Sequence, residues 1–271
     1  MARMNTDEKG YSIKSRPAVG TIVLTAGIII LVGSLVLAIS VGAANIKFLT
    51  VWQAVFQYDP SKETNKIIMS LRMPREIGAA VVGAALAVSG AIMQGMTRNP
   101  LADPGLLGLN AGASFALACI FAFNPHVSFM MMMCFSFLGA ALGASMVFGL
   151  SSMRKGGLSP LRLTLAGAAV SALLTSLGEG IALYFKLSQD LAFWTAGGVS
   201  GTTWLQLEIV IPIVVIGILI AIMMSKGLTI LSFGEEIAKG LGQRTFLMKL
   251  ILMLIVLILA GVAVSLVGSI A

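Results

Sequence analysis

The chain has 271 residues, 58% of them hydrophobic and only 11% charged, with a mean hydropathy of +0.98. Those values exclude a water-soluble globular domain of this size. The formal net charge of +7 lies mostly on residues that flank apolar runs, which makes nucleic-acid binding a poor inference from it.

Positions 17–46, 77–97, 104–153, 209–225 and 250–271 carry no Lys, Arg, Asp or Glu. A helix needs about 20 apolar residues to cross roughly 30 Å of hydrocarbon, and the alternation of a membrane β-barrel is missing. The expectation is an all-α, polytopic helical membrane protein. Seven spans are expected, at about 20–43, 76–96, 107–123, 127–150, 161–185, 207–225 and 247–268, within a single transmembrane domain over 1–271.

Residues 1–17 are polar and basic, and the apolar run behind them is about twice as long as a signal-peptide core. They read as a cytoplasmic tail followed by a retained membrane anchor. With that orientation most Lys and Arg residues fall in cytoplasmic segments, among them Arg98, Arg154, Lys155, Arg162, Lys226, Lys239, Arg244 and Lys249. One outer segment breaks the pattern, with Lys47, Lys62, Lys66, Arg72 and Arg75 against Asp59, Glu63 and Glu76. Either these cations anchor to lipid headgroups, or they form a basic docking face for an acidic partner. Arg72 and Arg75 suit the second role because guanidinium pairs well with carboxylate.

In the second span Gly83, Ala87 and Gly90 share one helix face, expected to pack closely on another helix. The prolines of Asn99-Pro100-Leu101-Ala102-Asp103-Pro104-Gly105 then stop the incoming helix, and Asp103 as N-cap with Pro104 at the first helical position starts a new one. This turn is either purely structural or lines a pathway. Phe123-Asn124-Pro125-His126 supplies the next turn. Cys119 and Cys134 fall in spans as small packing residues. His126 is the only histidine, which excludes a multi-histidine metal site, and consecutive Met130 to Met133 point around a helix and cannot converge on one ion.

Glu179 is the only ionisable residue well inside a span. It is either functional or directed to the outer surface, snorkelling or pairing with Lys186. No phosphate cradle of the GxxxxGK[ST] type and no catalytic constellation occurs, so the chain is expected to be neither an ATPase nor another enzyme and to bind no cofactor or metal.

Between two apolar runs, within a cytoplasmic loop 226–246, lies Ser232-Phe233-Gly234-Glu235-Glu236-Ile237-Ala238-Lys239-Gly240-Leu241-Gly242. Ser232 and Glu235 fit a capping box, Glu235 and Glu236 suit the positive end of a short helix, Lys239 suits the negative end, and Gly240 or Gly242 can terminate it. Phe233, Ile237 and Leu241 then share one apolar face of a helix too short to span a membrane. Its acidic leading edge disfavours an anionic leaflet and favours a protein partner.

Leu71-Arg72-Met73-Pro74-Arg75, the run from Gly83 to Gln94, and Asn99 to Gly108 together resemble the FecCD family, the permease subunits of bacterial ABC importers for ferric siderophores, haem and cobalamin. Leu163 to Gly167 and Phe193 to Gly198 extend the likeness. The resemblance implies a type II importer in the cytoplasmic membrane: a second permease subunit, a cytoplasmic ATPase that uses the ATP, and an extracytoplasmic substrate-binding protein. Arg72 and Arg75 match binding-protein docking positions. Asn99, Leu101 and Ser159 match the neighbourhood of the cytoplasmic gate, and Phe233, Gly234, Glu235, Glu236, Ile237, Ala238, Gly240, Leu241 and Gly242 match the helix that couples to the ATPase. The family prior favours an iron-siderophore cargo, with haem or cobalamin as alternatives; an ion-gradient-driven secondary transporter is the reading from another class. Family members have about ten spans, which implies a fragment or a truncated product here.

Overall fold

The computed structural model describes residues 17–41, 48–124, 126–152 and 160–269. These residues are helical with no strand among them. In chain order the helices are α1 (Pro17–Ser40), α2 (Phe48–Phe56), α3 (Glu63–Ile67), a π-helical turn (Ile68–Arg72), α4 (Met73–Thr97), a 3-10 turn (Pro104–Leu107), α5 (Leu109–Phe123), α6 (Phe129–Ser152), α7 (Pro160–Phe185), α8 (Ser188–Ala196), α9 (Trp204–Ser232), α10 (Glu235–Gly240) and α11 (Thr245–Val267).

The chain divides into two units, Met1–Asn65 and Lys66–Ala271. In the first, α1 is apolar on all sides, as a lipid-facing anchor must be. The second is a helical bundle around α11, whose residues from Leu259 to Val267 are all buried. Its neighbours are α4, α6 and α9, with α5 and α7 packed outside α6.

Six stretches among the described residues are long and apolar enough to cross a membrane. The seventh expected span, 107–123, is the exception. Its regular part, α5, has 15 residues, about 22 Å of helix, short of the roughly 30 Å of hydrocarbon. The uncharged run conceals a break at its start. Asp103 caps the 3-10 turn by accepting the Gly105 N–H at 2.6 Å, Pro104 occupies the first position as expected, and Gly108, in left-handed backbone (φ 71°), resets the chain into α5.

Glycine sets how the second unit packs, but not at the face expected from sequence. Gly83 and Gly90 have no neighbour within 4 Å of a would-be Cβ, and Ala87 is exposed; α4 instead buries Gly78, Val82, Ala85, Ser89 and Ile92. Backbone meets backbone between α5 and α6, where a Cβ on Gly112 would overlap the Gly139 carbonyl and one on Gly143 the Gly108 carbonyl. A Cβ on Gly167 in α7 would likewise overlap the Leu106 carbonyl.

Candidate functional sites at the two ends of the bundle

The candidate residues divide between opposite ends of the second unit. At one end, α9 runs seven residues further than the expected span and stops at Ser232, a continuous helix of 29 residues. The expected capping box at Ser232 is therefore not formed. The Ser232 hydroxyl donates to the Thr229 carbonyl inside α9, and Gly234 (φ 129°) stands at the N-cap of α10 without a side-chain cap. Freed from capping, Glu235 turns to Lys249 Nζ at 2.5 Å and Lys239 Nζ at 3.0 Å. The two ammonium groups, Lys249 first, pull its carboxyl from 4.5 down to about 2. Lys249, read from sequence as a loop cation, is in the second turn of α11 and only 8% exposed. Its apolar surroundings hid it: only a basic residue inside an apolar run, with a glutamate nearby in sequence, could have signalled the pair.

Gly242, not Gly240, ends α10. Its left-handed φ of 78° lets Gly242 N–H donate to Lys239 O at 2.9 Å and Gln243 N–H to Ala238 O at 2.9 Å, the paired bonds of a Schellman motif. Ala238 is fully buried beneath the helix, while Phe233, Ile237 and Leu241 are 66%, 53% and 67% exposed. The expected apolar ridge is thus present and turned outward, with Glu236 exposed beside it.

The Asn99 turn lies at the same end, since a Cβ on Gly234 would come within 3.5 Å of Arg98 Nη1. Arg98 closes α4 in left-handed backbone (φ 53°), and Asn99 Oδ1 accepts the Leu101 N–H at 3.0 Å. This bond projects Leu101, 84% exposed, away from the buried Ala102. The following residues Asp103, Pro104 and Gly105 join Gly90, Gln94 and Asn110 around a cavity of about 200 Å³. The turn therefore lines a partly polar space within the bundle. Ser159 lies outside the described residues.

At the other end, Arg72 closes the π turn and Arg75 sits in the first turn of α4, three residues apart on one helical face. Arg75 is exposed, with its Nε 3.8 Å from Glu76. Pro74 accounts for the local geometry. Met73 N–H bonds to Ile68 O in the wider π register, so the next acceptor, Met69 O, would face the nitrogen of Pro74, which carries no hydrogen. The Trp204 indole N–H at the start of α9 donates to that Met69 carbonyl at 2.7 Å and satisfies it. Neither this turn nor α8 is foreseen from sequence. Gly198 N–H bonds to Val267 O at 2.7 Å, tying the segment after α8 to the end of α11.

Glu179 is also near this end and is exposed into a cleft of about 470 Å³ between α5, α7 and α8. No ion pair links it to Lys186, which adopts left-handed backbone (φ 60°) just beyond α7. His126 is exposed in its turn, Met133 is buried in packing, both cysteines are free thiols, and no metal-binding cluster occurs among the described residues.

The profile of the FecCD transport family matches residues 18–271. The chain belongs to the FecCD family. An iron(3+)-hydroxamate import system permease protein of Bacillus subtilis (strain 168) is 48% identical over 257 residues, covering 95% of this FecCD chain and 67% of that protein. A hemin transport system permease protein of Yersinia pestis is 34% identical over 238 residues, covering 85% and 69%. An inward-facing metal-chelate type ABC transporter structure matches with a TM-score of 0.78 at 25% identity, covering 93% of this chain and 77% of that one. These relatives make the protein a membrane-embedded permease of the ABC importer class.

Proposed function

We propose that this FecCD permease carries a ferric hydroxamate-type siderophore complex across the bacterial cytoplasmic membrane by alternating access, driven by a separate ATPase. The observation that carries the reading is the outward ridge of Phe233, Ile237 and Leu241 on a helix fixed from behind by Ala238 and by the Glu235 pairs to Lys239 and Lys249. Side chains of this kind left in water by a braced helix fit a cleft on a protein partner. Closure of the ATPase dimer on ATP would pull α10 and pass the displacement to α11 through Glu235 and Lys249.

On this reading the α10 end and the N-terminus are cytoplasmic. Asn99 and Leu101 stand at the inner gate, and Arg72 and Arg75 receive carboxylates of an extracytoplasmic substrate-binding protein. A second permease subunit completes the pathway. The cargo is supported by the relative at 48% identity, whose name specifies iron(3+)-hydroxamate import.

The test is co-purification of the ATPase subunit with the permease in detergent. Ile237→Asp, which places a charge in the centre of the ridge without touching a buried contact, should weaken ATPase capture at least tenfold and abolish ATP-driven uptake. Undiminished capture by the variant, or uptake that persists without any ATPase, would overturn the proposal.

A further inference from the structure

Glu179 is the one carboxylate in the interior stretch of α7, six residues before the helix ends at Phe185, about 9 Å along the axis. An ionised carboxylate facing hydrocarbon is costly, so such groups face water-filled space or a counter-charge. Among the described residues no cation pairs with it, Lys186 in left-handed backbone (φ 60°) just past α7 included. The side chain instead borders the 470 Å³ cleft, whose size falls within the usual range for small-molecule sites.

The lining suits one chemistry. Thr175 and Leu183 flank Glu179 one turn to either side on α7, Ser114 contributes a hydroxyl from α5, and Ser188 and Thr195 contribute hydroxyls from α8. Gly178 faces α5, where a Cβ would lie in ordinary contact, 3.4 Å from Phe115 Cα. Among the described residues the cleft therefore presents a single carboxylate, Glu179, with hydroxyl groups, the Asn110 amide and apolar walls around it. A hydrated divalent ion needs more charged oxygen than this. An ammonium group on a larger, mostly uncharged body matches it: charge to carboxylate, N–H groups to hydroxyl oxygens, and the remainder to the Leu174, Leu183 and Leu191 surfaces.

We propose that the Glu179 cleft is a subsite for a cationic, ammonium-bearing cargo, through which this permease favours a positively charged ferric chelate over its neutral counterpart. The inference rests on the importer reading above and adds a charge preference to it. A ferric ion held by three hydroxamates is neutral overall, so one free ammonium makes the complex a monocation and acetylation of that amine removes the charge.

The test uses the complete importer in proteoliposomes, with ATP inside and the binding protein saturated outside. Two probes are compared: a ferric tris-hydroxamate with a free primary ammonium and the same chelate acetylated on that nitrogen. The readout is the ratio of their uptake rates in the wild type divided by the same ratio in Glu179→Gln. Any selectivity of the binding protein is common to both and cancels. The double ratio should be about fivefold in favour of the ammonium chelate, and Glu179→Lys should invert the preference. A double ratio of one, with both chelates transported, overturns this inference and leaves the importer reading intact. Transport of neither chelate by the wild type overturns both. An inorganic cation as the true occupant would appear as wild-type uptake of the neutral chelate that collapses when choline replaces sodium and potassium, and that outcome also overturns it.

Discussion

Replacing Glu235 by Gln separates the brace behind α10 from the ridge in front of it. The wild-type carboxylate accepts from Lys249 at 2.5 Å and from Lys239 at 3.0 Å, and is drawn from 4.5 to about 2. A displacement of that size corresponds to at most about 3.4 kcal/mol of preference for the charged form. The Glu235 side chain is 37% exposed, so solvent screening reduces the stabilisation to about 1.5–2 kcal/mol. In a chain of this size that is about 3–8 °C in Tm. Because the folded carboxyl titrates below its ordinary value of 4.5, the stabilisation is complete above pH 4.5 and is lost as pH falls through about 2. Thermal unfolding of the purified permease at pH 7, followed by tryptophan fluorescence, should show the deficit in the variant, and the two melting curves should converge between pH 4.5 and pH 2. Equal Tm values at pH 7, or a gap that stays constant down to pH 2.5, would refute the reasoning.

Trp204→Phe keeps the ring but leaves the Met69 carbonyl without its indole donor; a loss of about 1 kcal/mol and faster amide exchange across 68–76 are expected, read by hydrogen-exchange mass spectrometry. Gly112→Ala should destabilise by about 3 kcal/mol or more, because its Cβ overlaps the Gly139 carbonyl and only a shift of one helix relieves it. Gly83→Ala, with nothing within 4 Å, is the matched control and should melt within about 1 °C of the wild type. Equal melting of the two alanine variants would contradict the seam.

Long charge-free runs made most spans legible, because the membrane imposes one requirement on every residue of a span. Periodicity also disclosed the Phe233, Ile237 and Leu241 ridge. What escaped were features that depend on which neighbour a residue meets. Helical spacing put Gly83, Ala87 and Gly90 on one face but could not say whether that face turns inward, and the chain buries Val82, Ala85 and Ser89 instead. Ser232 had the spacing of a cap, yet α9 simply continued through it. The π turn needed Pro74 and a tryptophan 135 residues from the acceptor to be considered together. The Asp103–Pro104 start, by contrast, was readable because a side chain two residues from its donor decides it locally.

The glycine contacts have a mechanical consequence for any transport cycle. Where α5 meets α6, and where α7 meets the Leu106 turn, main chain lies directly on main chain, and such a joint has no rotamer to change and no slack to give. Where α4 meets α9 and α9 meets α11, leucine side chains intervene: Leu228 lies 3.0 Å from a would-be Cβ on Gly95, and Leu259 lies 2.7 Å from one on Gly217. Side chains can step between wells and let helices slide by an ångström or two. The joints among α5, α6 and α7 are accordingly stiffer than those of α4 and α9 with their neighbours, and on the proposed coupling a pull delivered through α10 would be taken up where side chains intervene.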